Sequence, residues 1–340
     1  MPDNMVVSFD EMLASIPALL GFVPAESFIL VAVVDEPGSA KRVGPSQRID
    51  FTDFASLPAA TMTHLARGLK DLPVVALIGV VATNTSGATD GLPARDAVDD
   101  AILALRREGL PEPELLFLPE FTAGARWSCY QHSGHTGVLP DPALTSAALA
   151  ATVAGRSVLP SRDDLRRRFT PGPAHDRARL NPLVAQAAHR AAIDDSADNL
   201  PALRERLARI DNAIEAVQKG RFPDRDDVIA DLIAALSVPR LRDAVIAASS
   251  SEARLATEDL AVHLWRLAEE PYAGNLAVLA AVHAYCRGDG AAARIAVDSV
   301  TTVTVLVRFL LVSLDMSVLP DKIAEVFDGA SRDARVAFDT

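Results

Sequence analysis

Two uninterrupted apolar runs constrain this chain more than any other feature: FILVAVV at 28–34 and VVALIGVVA at 74–82. A strand with one wet face alternates apolar and polar residues. A strand covered on both faces reads instead as continuous apolar sequence, rich in β-branched side chains. Both runs fall far short of the roughly 20 residues that span a membrane as a helix. They predict buried strands of a layered α/β domain.

The surrounding pattern agrees. Ser8 and Glu11 are spaced as a capping box for a short helix reaching Ser15, after which Pro17 restarts the chain. The turn DEPGSAK leads into a second strand at 46–51, so 28–51 reads as a hairpin. Helices are predicted over 58–70, 93–107, 142–154 and 161–169, and strands over 114–118 and 125–130. The order ββαβαββ with short links predicts an α/β domain over 1–170, a mixed sheet with flanking helices.

PGPAH marks a linker at 171–176. From 177 to 340 the pattern is helical, strongest in LPALRERLARIDNAIEAVQKG, with breaks at Pro239, Pro271, the 288–290 turn and Pro320. This half reads as an all-α, helical-repeat-like domain of tetratricopeptide-like helix pairs. Its best example is 275–300, with Tyr285 late in the first helix, a Gly-Asp-Gly turn and small alanines in the second.

A length of 340 residues accommodates two such domains. The net charge of −12 divides evenly, −6 in residues 1–175 and −6 in 176–340. Neither half carries the basic charge that nucleic-acid backbones or anionic membranes require, so neither partner is expected. The two cysteines, Cys129 and Cys286, are far apart and form no disulfide framework. The first residues lack the basic and apolar regions of a secretory signal, and a cytoplasmic location is expected.

Chemistry-bearing residues concentrate in 121–169. Arg162, Arg166, Arg167 and Arg168 form the one basic cluster of the N-terminal half. Ser161 stands at the start of that helix, where anions are favoured. Arg126, Tyr130, Ser161 and Arg162 are therefore the candidate small-anion site, with Asp163 and Asp164 as competing neutralisers. Cys129, His132 and His135 have the spacing C-x2-H-x2-H, but no second pair of zinc ligands follows. A strand over 125–131 puts Cys129 on the same face as Trp127, as a small buried hydrophobe. No metal or cofactor is expected. A Cys129–His132 nucleophile pair lacks an orienting third group, and the loop at 83–92 lacks a phosphate-binding signature.

With no catalytic constellation, the expected function is a non-catalytic interaction or scaffold role of the helical half. The stretch 302–316 is apolar on nearly all sides, which predicts a protein partner or a homo-oligomer. The alternative is a small-anion-binding or enzymatic α/β domain centred on Arg126 and Arg162.

Several scattered motifs also carry a resemblance: Leu19-Leu20-Gly21-Phe22 with Pro24 and Ser27, Arg126-Trp127 before a Cys/His turn, Val158-Leu159-Pro160-Ser161-Arg162, and Gly288-Asp289-Gly290 before an alanine-rich helix. Jointly they resemble an actinobacterial family catalogued as domain of unknown function family 4192. The resemblance implies a two-part protein and no particular chemistry.

Overall fold

The computed structural model describes residues 9–35, 42–56, 58–85, 91–153, 156–247 and 250–339; the expected cap at Ser8 lies outside them. The chain divides into two units, Met1–Arg162 with Asp315–Ser317, and Asp163–Leu314 with Val318–Thr340.

The first unit is α/β. It runs α1 (Phe9–Leu20), β1 (Ser27–Val34), β2 (Arg42–Asp50), α2 (Phe51–Ser56), α3 (Pro58–Arg67), β3 (Val74–Ala82), α4 (Arg95–Arg107), β4 (Glu114–Leu118), β5 (Arg126–Cys129), β6 (Thr136–Val138) and α5 (Ser146–Val153). The six strands form one sheet in the order β2-β1-β3-β4-β5-β6. Only β3 and β4 run parallel, joined by the α4 crossover; the predicted 28–51 hairpin is the antiparallel β1–β2 pair.

The two apolar runs are the central strands β1 and β3, covered on both faces. On one face Phe28, Leu30, Leu77, Val81 and Leu115 pack with Phe54, Met62, Leu65, Val98 and Leu105 from α2, α3 and α4. On the other lie Ile29, Val80, Leu116 and Cys129, which the strand register aligns. This face also carries Trp127, which meets Phe9 of α1. The segments 19–22 and 158–162 meet here: Phe22 bridges Leu159, and Val23 N–H donates to the Leu159 carbonyl at 2.9 Å.

Pro17 does not restart the chain, because α1 continues through it to Leu20. The ring removes one helical hydrogen bond, but Leu13, Ile16 and Leu20 are buried on the same helix, and that burial offsets the loss. The sequence pattern also lacks α2 and β6. Both are short, and β6 is an edge strand of three residues with two exposed side chains, too brief to show a period.

Gly79 sits in β3 where a Cβ would come within 2.1 Å of Leu115 Cδ2 and 3.1 Å of Phe28 Cζ. Phe28 is itself stacked on Phe54, so the neighbours have little room to yield. Gly79→Ala is expected to destabilise the α/β unit by about 1–3 kcal/mol through overpacking. Urea unfolding followed by Trp127 emission in a Trp265→Phe background measures it, and an unchanged midpoint would show that Leu115 moves freely.

The second unit is helical. After α6 (Arg162–Arg168) come α7 (Ala174–Ser196), α8 (Leu200–Gln218), α9 (Asp226–Leu236), α10 (Pro239–Ala244), α11 (Ser251–Leu267), α12 (Ala273–Cys286), α13 (Gly290–Asp298), α14 (Val305–Asp315) and α15 (Pro320–Asp339). Within the helical span expected from 177, the sequence pattern delimits no individual helix before Leu200, so α7 has no counterpart there. Its buried stripe is Leu180, Val184, Ala187 and Ala191, a correct helical spacing blurred by alanine and by Pro182. Residues 171–176 are bonded into this unit: Gly172 N–H donates to the Arg266 carbonyl at 2.7 Å, and Arg177 Nε to the Gly172 carbonyl. The division between units falls earlier, beside Arg162. In the α12–α13 pair, Asp289 caps α13 through the Ala292 N–H, and the single Tyr285 hydroxyl proton is shared between the carbonyls of Ser313 and Val318, 2.7 and 2.8 Å away. Among the described residues no helix is long and apolar enough to cross a membrane.

Candidate functional site

β5 is a four-residue strand between β4 and β6, and its register decides what gathers around Cys129. Leu116 pairs with Cys129, and Tyr130 N–H donates to the Leu115 carbonyl. Directly paired residues share a sheet face, as do residues two apart along a strand. Glu114 therefore lies on the face of Cys129, diagonally across the ladder. The chain beyond β5 then turns back on itself. Cys129 N–H donates to the His135 carbonyl at 2.9 Å, and His135 N–H to the His132 carbonyl at 3.1 Å.

The result is one cluster of four donors. A ligand atom from each of Glu114, Cys129, His132 and His135 lies within 4.8 Å of all the others. Cys129 Sγ is 3.7 Å from His132 Nδ1, and His135 Nδ1 is 2.9 Å from Glu114 Oε1. Cys129 is buried, whereas both histidines are exposed and Glu114 is half-buried. Neighbours hold these groups in place. Gln131 donates from Nε2 to the Pro113 carbonyl, and its Oε1 faces Cys129 Sγ at 3.4 Å. Trp127 meets the His135 ring edge-on at 5.0 Å and donates from Nε1 to Asp10 Oδ1 at 2.6 Å. Gly137, opposite Trp127, leaves space for the indole, since a Cβ there would lie 2.5 Å from the ring.

The predicted anion residues do not converge. Tyr130 is buried in the opposite face, where its hydroxyl donates to the Pro93 carbonyl at 2.7 Å and burial pushes its pKa up. Arg126 is exposed on β5. Arg162 lies 3.7 Å from Asp50 at the end of β2, and Arg48 pairs with the same carboxylate at 2.7 Å. From β2 to β5 is four strand spacings, roughly 19 Å. Ser161, half-buried, adjoins Arg162. Arg166 pairs with Asp163, Arg167 with Asp164, and Arg168 with Glu258 and Asp259. The basic cluster is thus consumed by internal ion pairs. At the 83–92 loop, the Thr83 hydroxyl and Asn84 N–H both donate to the Glu26 carboxylate. An internal anion already occupies those donors; residues 86–90 lie outside the described set.

A family model described as "Domain of unknown function (DUF4192)" matches residues 10–304. The chain belongs to this family. No curated protein and no solved structure matches it. The DUF4192 match spans β4, β5 and the turn after them, so the four-donor cluster lies inside the family domain.

The helical unit of this DUF4192 chain presents two further surfaces. A cleft of about 700 Å³ between α8 and α9 is lined by Arg206, Arg209, Arg221 and Arg225. Three of these are matched internally, Arg206 by Asp194, Arg209 by Glu205 and Asp231, and Arg225 by Asp227. The other surface is α14. It buries Val307, Leu310 and Ser313, while Val305, Phe309 and Val312 are 88%, 37% and 55% exposed. The spacing i, i+4, i+7 puts those three on one face.

Proposed function

We propose that the chain is a non-catalytic interaction protein of the cytoplasm whose helical unit pairs with a second copy of itself through α14. The observation that carries this reading is the exposed stripe Val305, Phe309 and Val312, extended by Val303 at 61% exposure. The end of a stacked array ordinarily turns a polar face outward; α15 does so with Asp321, Lys322, Glu325, Arg332 and Asp333, whereas α14 leaves its apolar stripe exposed. An apolar stripe of this spacing is self-complementary when two helices pack antiparallel about a two-fold axis.

Sedimentation velocity of the full chain at micromolar concentration tests this. The expected result is a dimer that becomes a monomer in Val305→Glu and in Val312→Glu, with helicity retained and stability within about 0.5 kcal/mol of the parent. A parent that stays monomeric at high micromolar concentration defeats the proposal. So does a dimer indifferent to both substitutions.

A further inference from the structure

We propose that Glu114, Cys129, His132 and His135 form a structural zinc site in the α/β unit. The donor set is one thiolate sulfur, two imidazoles and one carboxylate, a combination that suits Zn²⁺ in tetrahedral coordination. With bonds of about 2.3 Å to sulfur and 2.0–2.1 Å to nitrogen and oxygen, a zinc tetrahedron has edges of about 3.6 Å from sulfur to nitrogen and about 3.3 Å between the lighter donors. The protein presents 3.7 Å from Cys129 Sγ to His132 Nδ1 and 2.9 Å from His135 Nδ1 to Glu114 Oε1. All four donors fall within 4.8 Å of one another. The separations of 3.7 and 2.9 Å are within about 0.5 Å of these edges, and pairs as wide as 4.8 Å close by up to about 1.5 Å through rotation of the exposed imidazoles.

The backbone reaches this arrangement by its own hydrogen bonds. The 129–135 turn is closed by the Cys129 N–H to His135 carbonyl bond, and Glu114 is delivered by the β4–β5 register. A preformed cage of this kind is unlike three polar residues that merely follow one another in a loop. It also has the supporting layer that metal sites carry: Gln131 beside the sulfur, and Trp127 and Phe9 against the His135 ring. Four protein donors leave no open position for a substrate, which marks the site as structural. Binding exchanges one bond for another at Cys129. The S–H proton leaves to solvent as the Zn–S bond forms, with no change in oxidation state. The ion ties β4, β5 and the turn before β6 together at the exposed edge of the sheet.

Cobalt and zinc titration of the full chain, purified without chelators, tests the site. Native mass spectrometry should find one zinc per chain. Cobalt should produce the near-ultraviolet sulfur-to-metal band and the strong visible bands of a tetrahedral thiolate site. Cys129→Ala should abolish the sulfur band, while Cys286→Ala leaves it intact. Glu114→Gln and His132→Asn alter exposed or half-exposed groups and keep the test valid should Cys129→Ala fail to fold. Each should weaken zinc by at least about tenfold, the loss that even outer-layer partners of a metal site cause. A second readout needs no spectrum of the metal: zinc should shift Trp127 emission in a Trp265→Phe background, and a chelator should reverse the shift. Absence of stoichiometric zinc, a cobalt spectrum without a sulfur band, or a sulfur band that survives Cys129→Ala overturns the proposal.

Discussion

Glu258→Ala is expected to destabilise the helical unit by about 3–5 kcal/mol, the usual cost of leaving a buried charge without its partner. Glu258 is fully buried in α11. Arg287 Nε and Nη2 donate to its Oε2 at 3.1 and 2.7 Å, and Arg168 Nη1 donates to its Oε1 at 3.1 Å. Arg168 also reaches Asp259, and Arg287 reaches Asp289 at 3.3 Å. Burial pushes the Glu258 carboxyl up, against the pull of Arg287 and then Arg168. The truncation leaves Arg287, which is 7% exposed, with only its 3.3 Å contact to Asp289, and it leaves Arg168–Asp259 as the remaining ion pair between α6 and α11. Denaturant unfolding read by Trp265, with Trp127→Phe to silence the other tryptophan, measures the loss. The double change Glu258→Met with Arg287→Met should cost less than Glu258→Ala alone, because the buried guanidinium goes with its partner and Asp289, which loses Arg287, still accepts from the Ala292 N–H. A loss under about 1 kcal/mol for Glu258→Ala would show that water reaches Arg287.

Acid should weaken the same unit through His283 by about 3 kcal/mol between pH 6.5 and pH 4. His283 is wholly buried on α12; burial lowers its pKa to about 4, with Arg254 and Arg287 adding to that, while the bond to the Val245 carbonyl opposes it. Its Nε2 lies 3.0 Å from that carbonyl and so carries the proton, and Nδ1 has no hydrogen-bond partner among the described residues. The folded pKa is depressed below the unfolded value of 6.5. The unfolded chain therefore takes up a proton first as pH falls, and stability is lost from pH 6.5 downward until the folded site also protonates near pH 4. Urea unfolding at pH 7 and pH 4.5 should show this loss in the parent and a smaller one in His283→Gln, which has no group to titrate. Equal acid losses in the two proteins would assign the effect to carboxylates instead.

How far the candidate metal site was legible can be traced residue by residue. Cys129, His132 and His135 stand within seven positions, and their spacing is visible in the sequence. Glu114 is fifteen positions earlier, on another strand, and nothing local connects it to them. A signal existed in retrospect: a carboxylate at the first position of the strand ELLFL, on the face of Leu116. It acquires meaning only once Leu116 is known to pair with Cys129. The expectation that Cys129 is buried beside Trp127 agrees with the structure. Burial of the cysteine did not exclude a metal, because the histidines reach it from the exposed side. The anion quartet shows the opposite case. Arg126 and Arg162 both flank apolar elements, but the three strands β1, β3 and β4 lie between β5 and the end of β2 where Arg162 sits.

The sequence by itself determined the classes of element and their approximate places. Continuous β-branched runs can be satisfied only by strands covered on both faces, so β1 and β3 were legible. Helical periodicity marked most of the second unit, and the turn at Gly288-Asp289-Gly290 and the proline break at Pro239 are visible without a fold. These properties depend on residues within one turn or one strand of each other. Tertiary structure alone decided what depends on distant partners. It carried α1 through Pro17, because burial of Leu13, Ile16 and Leu20 outweighs one missing hydrogen bond. It formed β6 from three residues with too little periodicity to detect. It set the β4–β5 register that brings Glu114 to Cys129, and it placed Asp50 against Arg162 and Glu258 against Arg287. Each of these rests on burial or charge pairing between segments remote in the chain, which no window along the sequence contains.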